Sequence, residues 1–511
     1  MWISKVPKDE LENRIDCHFY QPDAIAEIKK IKNFPCKPLS YYVVEKRSEP
    51  PIHTSHYAEQ GIHIISPSNF TDFVISLEDT YKVNPSYIDL FKDFILKEGN
   101  IIYALVGDVG HACVVPIPAP KAITYRRTAN ISLKGINPYF VCAFLNYRAG
   151  DLQLKRMTTG VIQSQLRLED SIEVLIPSWS SEIQTYIGDK VRLAEILRER
   201  SRHLEEESRD KFNSYFGFFK ALPLAKFFKT ESLILENRID TWFYNPRFLN
   251  AVKAIQEAGA KLIPLGKLAK RITNGGTPAN ALFTEKGIPW IRGKDFEHGD
   301  IAVELLPLMD FASEESIKRS RLKVGGIILS IKGTVGDVAV VDELLVGCNI
   351  NQDIALIEIN NLQTSHFIAA FLESELGQIL IEQQVYGAIN PFFSLENLRL
   401  FSVPDPNSVD QNFKMQLANL RHTRVRCKRL SQLLTTTAKL LVEALIEGKL
   451  TEDELKIAQE ALQKGDREPD KAILSRLTCK GYDIKDEPPL FPDLDLLYQT
   501  IDQLNADEQS E

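Results

Sequence analysis

The sequence predicts a mixed α+β protein in which two similar β-rich domains are separated by two long antiparallel helices that form a coiled-coil spacer. Two observations predict this fold: the chain repeats itself at a nearly constant interval, and each repeat is followed by a long polar stretch of helical periodicity. With 511 residues, of which 44% are hydrophobic and 25% are charged, the chain is long enough for more than one core.

The first observation is an internal duplication. Residues 11–16 read Leu-Glu-Asn-Arg-Ile-Asp, and residues 235–240 repeat all six at an offset of 224. Ordered matches continue at offsets of 226 and 227, and they include Gly61 with Gly287, Val109-Gly110 with Val335-Gly336, and Pro177 with Pro404. These matches indicate two copies of one module, since the interval is too long for a solenoid repeat.

Each copy has the same predicted order of elements. A short helix is followed by β-rich runs that glycine and proline interrupt, and a helix over 138–156 or 364–380 comes next. A strand that contains proline closes each copy. We therefore predict one β-rich domain over 1–180 and a second over 231–407.

The second observation is a long helix after each copy, predicted over 181–215 and over 408–449. The second helix has apolar or small residues at heptad spacing, namely Leu420, Thr423, Cys427, Leu430, Leu434, Thr437 and Leu441. Paired antiparallel, about 33 residues at 1.5 Å each would make a strut of about 50 Å with one copy at each end. The predicted helical spacers are 181–230 and 408–450.

The net charge of −8 is unevenly distributed. Residues 451–511 hold 16 Asp and Glu against 7 Lys and Arg, so that the rest of the chain is close to neutral. We predict that this acidic C-terminal extension is partly disordered or docks a partner. Because local basic patches set phosphate contacts, the overall charge does not exclude nucleic-acid binding.

Copy two contains five segments whose order resembles a known family. They are Gly275-Gly276-Thr277-Pro278, residues 287–296, residues 326–336, residues 349–353 and residues 440–450. Together with the duplication, they resemble the specificity subunit of type I restriction–modification systems over nearly all of residues 1–450. Copy one departs from this pattern, because Ser48-Glu49-Pro50-Pro51 and Gly107-Asp108-Val109-Gly110 stand at two of the equivalent positions.

The resemblance implies a non-catalytic protein with two target-recognition domains. Each domain would read one half of a split double-stranded DNA target, and the helices would dock two methyltransferase (modification) subunits. A motor–nuclease (restriction) subunit is a further partner that the resemblance leaves open. Equivalent faces of duplex DNA recur about every 34 Å, which suits a fixed spacer between two readers.

The motifs of catalysis are not found in the sequence. The segment 287–294 differs from a phosphate-binding loop in glycine spacing, and Glu487-Pro488-Pro489-Leu490 lacks the amide and aromatic residues of a methyltransferase motif. His53 and His56 have no third ligand nearby in the sequence, and the seven cysteines form no CxxC pair, so we expect no metal and no cofactor.

Without an apolar run of membrane-spanning length or a secretory signal, we expect a cytoplasmic protein with no membrane partner. An adaptor that tethers proteins without binding DNA, or an enzyme with unfamiliar motifs, is the alternative.

Candidate DNA-binding residues follow from the chemistry of the grooves. Arg and Lys suit guanine, Asn and Gln suit adenine, and Lys, Arg, Ser and Thr suit phosphates. In copy two the candidates are Asn274, Thr277, Arg292, Lys294, Lys332, Thr334, Asn349, Asn351, Gln352 and Asn390. In copy one they are Lys46, Arg47, Asn69, Arg126, Arg127, Gln163 and Gln165. The alternative for each is a solvated strand residue or, for Asn351 and Asn390, a turn cap.

A basic row on the second long helix is a further candidate for phosphate contacts. It consists of Arg421, His422, Arg424, Arg426, Lys428 and Arg429. A solvated helix face is the alternative interpretation.

Overall fold

The computed structural model describes residues 11, 14, 16–160, 164–217, 219, 221–229, 240–278, 280–297, 300–301, 303, 306–385, 387 and 390–508. Two compact units are present: unit 1 comprises Met1–Arg198 and Leu430–Glu511, and unit 2 comprises Glu199–Arg429. The candidate Gln163 and most of the repeated hexapeptide at 235–240 lie outside the described residues.

Copy one lies in unit 1 and is built from five helices and twelve strands among the described residues. The helices are α1 (Pro22–Ile31), α2 (Ile88–Phe91), α3 (Pro138–Asn146), α4 (Arg148–Arg156) and α5 (Leu168–Ser171). The strands are β1 (Cys36–Pro38), β2 (Val43–Arg47), β3 (Tyr57–Ala58), β4 (Ile62–Ile65), β5 (Phe70–Thr71), β6 (Val74–Ile75), β7 (Lys82–Val83), β8 (Ile101–Ala104), β9 (Gly110–Val114), β10 (Ala122–Thr124), β11 (Thr128–Leu133) and β12 (Leu175–Pro177). The long helix α6 (Ser181–Phe216) follows.

Copy two lies in unit 2 and follows the same plan. Its described helices are α7 (Pro246–Glu257), α8 (Leu265–Leu268), α9 (Phe311–Glu315), α10 (Leu362–Glu373), α11 (Glu375–Gln384) and α12 (Leu395–Leu400). Its strands are β13 (Leu262–Pro264), β14 (Arg271–Asn274), β15 (Phe283–Ile291), β16 (Phe296–Glu297), β17 (Asp300–Ile301), β18 (Leu308–Met309), β19 (Ile327–Ser330), β20 (Val338–Val340), β21 (Asn349–Ile350), β22 (Ile354–Glu358) and β23 (Ser402–Pro404). The second long helix is α13 (Gln411–Ile446).

The sheets of the two copies have the same topology. The main sheet has the order β2-β11-β8-β9 in copy one and β14-β22-β19-β20 in copy two, with antiparallel neighbours throughout. A parallel pair, β4 with β10 or β15 with β21, and an antiparallel pair, β1 with β12 or β13 with β23, occur in both. The prediction of two similar β-rich modules in an α+β fold is therefore confirmed.

The central strand β19 is buried on both faces. Ile327 and Leu329 lie in a cluster with Phe367 and Phe371, whereas Ile328 lies in a second cluster on the other face. Successive side chains of a strand point to opposite faces, so a strand covered on both sides needs a continuous apolar run. This requirement explains why the sequence here shows no alternation of apolar and polar residues.

The helix predicted over 138–156, or over 364–380, is in fact two helices in each copy. The chain turns at Tyr147 and at Ser374, which have extended backbones between the paired helices. After each turn a glycine lies very close to the preceding helix, because a Cβ atom on Gly150 or Gly377 would stand 2.2 or 1.9 Å from the Phe144 or Phe371 carbonyl oxygen. Only glycine fits these two positions without a backbone shift.

The two long helices pair in the antiparallel sense within unit 2. The Ser201 hydroxyl donates to the Arg424 carbonyl oxygen at 3.1 Å, and the Tyr215 and Phe413 rings stack at 4.2 Å. Partner numbers fall along one helix as they rise along the other, which confirms the predicted direction. In unit 1 the later seam residues of α13, including Leu434 and Leu441, are buried. No helix among the described residues combines the length and apolarity needed to cross a bilayer.

The acidic extension is folded, so the expectation of partial disorder is wrong for residues 451–508. It forms α14 (Glu452–Gln463), α15 (Glu468–Leu474), β24 (Leu477–Thr478), β25 (Gly481–Tyr482) and α16 (Leu494–Glu508). Its anchor is Asp470, whose buried carboxylate accepts from Lys190 Nζ at 2.7 Å and from the Tyr186 and Tyr498 hydroxyls at 2.5 Å each. Burial opposes ionisation of this group, but the Lys190 charge and the three donors keep the pKa of Asp470 below its usual value.

We predict that Asp470→Ala lowers the free energy of unfolding by about 3–5 kcal/mol, because it leaves Lys190 buried without a counter-charge. The matched control is Asp502→Ala, which removes an exposed partner of Arg467 in the same extension and should lower the free energy of unfolding far less than Asp470→Ala. Urea unfolding of the full chain measures both values. Equal losses in the two variants would contradict the anchoring role of Asp470.

Candidate nucleic-acid interface

In copy two, the loops that carry the candidate residues converge on one edge of the main sheet. Ala355, near the start of β22, pairs with Asn274 at the end of β14 and with Leu329 near the end of β19. Ile291, which ends β15, pairs with Ile350 just before the same edge. We call the segments 274–278, 292–295, 331–336, 351–353 and 390–392 the copy-two loop cluster.

Backbone hydrogen bonds tie this cluster together. They are Asn351 N to Ile291 O (2.9 Å), Ile331 N to Asp353 O (2.8 Å), Phe393 N to Ile331 O (2.9 Å) and Gly333 N to Pro391 O (3.1 Å). Since backbone groups make these bonds, the cluster keeps its shape whatever side chains it displays.

Copy one has the same backbone frame in its own cluster, the segments 47–50, 66–69, 105–110, 125–127 and 164–166. The equivalent bonds are Tyr125 N to Ile65 O (2.7 Å), Leu105 N to Arg127 O (3.0 Å), Leu166 N to Leu105 O (2.8 Å) and Gly107 N to Ser164 O (3.1 Å). Gly107 and Gly333 both have φ of +76°, a conformation that side-chain-bearing residues seldom adopt. The duplication therefore extends to the loops.

The side chains displayed on this common frame are different. Where copy two has Lys294, Lys332, Thr334 and Gln352, copy one has Ser68, Val106, Asp108 and Arg126, respectively. The backbone is repeated and the surface chemistry is not.

Most of the copy-two candidates reach the surface of the cluster. Thr277, Lys294, Lys332, Thr334, Gln352 and Asn390 are exposed, and Asn274 is half-buried. Two contacts orient part of this set: the Thr277 hydroxyl donates to the Gln352 side chain, and the Asn274 amide donates to the Gln352 carbonyl oxygen at 3.4 Å. The loop 274–278 and the segment 351–353 thus present their polar groups together.

Arg292 is held in place by its neighbour. Its Nε and Nη2 atoms each donate to the Asp295 carboxylate at 2.8 Å, and the same carboxylate accepts from the Arg292 backbone at 2.8 Å. The hydrogen bond and charge of Asp295 raise the pKa of Arg292 against the opposing effect of burial. This pairing fixes a short 3-10 turn, so that a change at Arg292 also disturbs the loop.

Asn349 and Asn351 are buried, so neither amide is displayed on the surface. Asn351 Oδ1 accepts from the Asp353 backbone N–H at 3.1 Å, while Asn351 Nδ2 donates to the Asp353 carboxylate at 2.9 Å. Asn349 bonds to Ser320 and Glu314 in the interior. Asn351 therefore caps this turn, and both amides are engaged in the interior of this structure.

In copy one, Arg47, Arg126, Arg127 and Gln165 are exposed within the loop cluster. Arg126 donates to the Ile52 carbonyl oxygen at 3.0 Å. The other two described candidates have partners that limit them: Lys46 pairs with Glu169 at 3.4 Å, and Asn69 Oδ1 accepts from the Ser66 backbone N–H at 3.0 Å. Ser66 to Asn69 forms the same capped turn as Arg292 to Asp295.

In the basic row on α13, Arg421, Arg424 and Arg429 are buried. These three side chains therefore form neither a solvated helix face nor a surface for phosphates. Arg421 and Arg424 pair with Glu373, and Arg429 pairs with Asp342. Both acidic partners come from distant segments, so the helix sequence alone gave no signal of this pairing. Burial of these arginines ties the helix to copy two.

Sequence reasoning missed one charged network in copy one, centred on His111. Its Nδ1 lies 2.6 Å from Asp72 Oδ1, and its Nε2 lies 2.9 Å from Asp108 Oδ2. The only sequence signal was the departure of Gly107-Asp108-Val109-Gly110 from the copy-two pattern. Among the described residues, no group of three or more His, Cys, Asp or Glu side chains is arranged to hold a metal ion.

Neither protein-family models nor curated proteins give a match to this chain. Among solved structures, it is similar to the type I restriction–modification S subunit from M. genitalium, with 12% identity, 84% of this chain and 96% of that chain covered, and a TM-score of 0.41. It is also similar to the HsdS subunit from Thermoanaerobacter tengcongensis, with 15% identity, coverages of 82% and 97%, and a TM-score of 0.27. A chain from a study of complex assembly and conformational transition of the type I R-M system has 14% identity, coverages of 88% and 98%, and a TM-score of 0.26.

Proposed function

We propose that this chain is the DNA-specificity subunit of a type I restriction–modification complex, in which each copy reads one half of a bipartite duplex target. The observation that carries the proposal is the pair of loop clusters, which share a backbone frame and differ in exposed side chains. Two readers of different half-sites need this combination, because base identity is read by side chains on a common scaffold.

The chemistry displayed by the clusters supports this role. Exposed cations suit phosphates and guanine, as with Arg47 and Arg127 in copy one and Lys294 and Lys332 in copy two. Exposed amides such as Gln352 suit adenine. The acidic surplus of the chain lies mainly in the extension 451–511, so it does not set the local charge of the clusters.

The remaining parts of the proposal follow from the resemblance in sequence. The recognition domains are 1–180 and 231–407, and the spacers 181–230 and 408–450 fix the distance between half-sites. The helices dock two methyltransferase subunits, with a motor–nuclease subunit as a further partner. Chemistry is supplied by those partners in the cytoplasm, and this chain contributes the sequence selectivity.

We predict that Lys332→Ala weakens binding to the preferred duplex by about 1–3 kcal/mol if Lys332 contacts a base. The matched control is Lys323→Ala, because Lys323 is also exposed but precedes β19, whereas Lys332 follows it at the loop cluster. The duplex is obtained by selecting random DNA with the parent chain, and affinity is measured by fluorescence anisotropy. If Lys332→Ala binds with parental affinity, or if Lys323→Ala loses as much affinity, Lys332 does not belong to the DNA interface.

We predict that Arg47→Ala lowers the salt dependence of binding, because a phosphate contact releases counterions when it forms. The slope of log K against log salt should become shallower by about 0.9 for one lost contact. Lys134→Ala is the control, since Lys134 is exposed at the other end of β11, just after Leu133. Identical slopes in the parent chain and in Arg47→Ala would show that Arg47 does not contact a phosphate.

A further inference from the structure

The network around His111 joins the recognition turn of copy one to the body of unit 1. Asp108 lies in the turn 107–110, whereas Asp72 lies between β5 and β6 and also pairs with Lys439 of α13 at 3.4 Å. His111 contacts both carboxylates, one with each ring nitrogen. The imidazole ring therefore links the Asp108 side chain of the turn to Asp72 in the body of unit 1.

Both bonds form at once, with both carboxylates ionised, only when the ring is doubly protonated. An ionised carboxylate only accepts hydrogen bonds, so each ring nitrogen that faces one must carry a hydrogen. The 2.6 and 2.9 Å distances fit charge-assisted bonds from an imidazolium. Neutral histidine has one N–H and can hold only one of the two carboxylates.

The two carboxylates that contact the ring favour this protonated form. Burial lowers the pKa of His111, but the bonds to Asp108 and Asp72 outweigh burial, and the pKa is raised. Asp151 on α4 adds negative charge nearby, while Lys155 lies 3.8 Å from Asp108 and 2.9 Å from Asp151. Lys439 is the positive group facing Asp72.

Copy two holds the equivalent turn differently. Asp337 stands at the position of His111 and Thr334 at that of Asp108, so the histidine bridge is absent from this position. Its 333–336 turn is instead followed by contacts between Asp337 and Ser330: the Asp337 backbone N–H donates to the Ser330 hydroxyl oxygen at 2.8 Å, and this hydroxyl lies 3.4 Å from Asp337 Oδ2. The recognition turn is therefore supported by His111 in copy one, whereas no histidine stands at the equivalent position of copy two.

We propose that His111 is a positioning residue, whose imidazolium holds the recognition turn of copy one so that reading by this copy alone depends on a proton. The inference rests on the proposed function, and it adds a specificity-determining residue that does not itself touch DNA. Reading by copy two has no equivalent dependence.

The direction of the pH effect follows from the contacts. As pH rises through the raised pKa of His111, the ring becomes neutral and one carboxylate loses its bond. The bond to Asp108 is the one expected to be lost, because the Asp108 side chain is 73% exposed. The other cation near Asp108, Lys155, is 3.8 Å away. The freed Asp108 carboxylate then repels DNA phosphates, and binding weakens as pH rises.

The test uses the full chain and a duplex selected from random DNA by the parent chain. We expect affinity to fall about tenfold between pH 6 and pH 9, the effect of losing one charge-assisted hydrogen bond.

His111→Arg retains a permanent cation with several donors, and should give a flat profile with strong binding. His111→Asn tolerates the φ of +51° at this position but has no charge, and should bind weakly at every pH. The matched control is His203→Asn, which removes an exposed histidine of α6 and should keep the parental profile.

Two further measurements separate the outcomes. Replacing the half of the duplex read by copy one should abolish the pH dependence, whereas replacing the other half should preserve it. Thermal unfolding checks that each variant is folded, and histidine NMR titration of the DNA-free chain reports the protonation of His111 directly. If folded variants bind DNA with the parental pH profile, the positioning role is overturned while the proposed function stands. If the parent chain selects no duplex at all, the proposed function fails. Independently of DNA binding, an ordinary pKa for His111 in the NMR titration would overturn the proposed bridge between Asp108 and Asp72.

Discussion

The candidate function depends on the backbone hydrogen bonds that fasten each loop cluster to the edge of a sheet. Bonds such as Leu105 N to Arg127 O and Ile331 N to Asp353 O recur in both copies with similar lengths. Because they involve no side chain, substitutions at the surface leave them intact. A surface that must change its specificity while keeping its shape needs this separation between frame and contact residues.

The two copies use charge in different ways on this frame. In copy two, Arg292 is paired with Asp295, and Lys332 lies 3.9 Å from Asp353. In copy one, the turn is braced through His111, while Arg47 and Arg127 stand exposed elsewhere in the cluster. A side chain with a fixed partner loses less conformational freedom on binding, but it must exchange that partner for DNA. The balance between rigidity and available charge therefore differs between the two proposed half-sites.

The sequence predicted the features that rest on local pattern. The repeated hexapeptide and matched glycine and proline positions revealed the duplication, and the heptad of α13 revealed a seam whose later residues, including Leu434 and Leu441, are buried. It could not predict features that depend on distant partners. Glu373 and Asp342 turn a basic helix face into buried ion pairs, and Asp353 turns Asn351 into a turn cap. Among the exposed candidates, Lys332 was recognisable because it follows a predicted strand at a glycine-marked turn, and Gln352 because it lies in the polar segment 349–353.

The acidic extension shows why net charge was a poor guide to function. Composition alone suggested a solvated tail, yet Asp470 is buried against Lys190 and two tyrosines. A buried carboxylate with these partners determines how the extension docks on the start of α6, and it adds nothing to the surface potential that DNA would meet. The charge that matters for binding is therefore the charge displayed on the loop clusters. Since both clusters lie on repeated frames, this local charge can change from one copy to the other without any change in the fold.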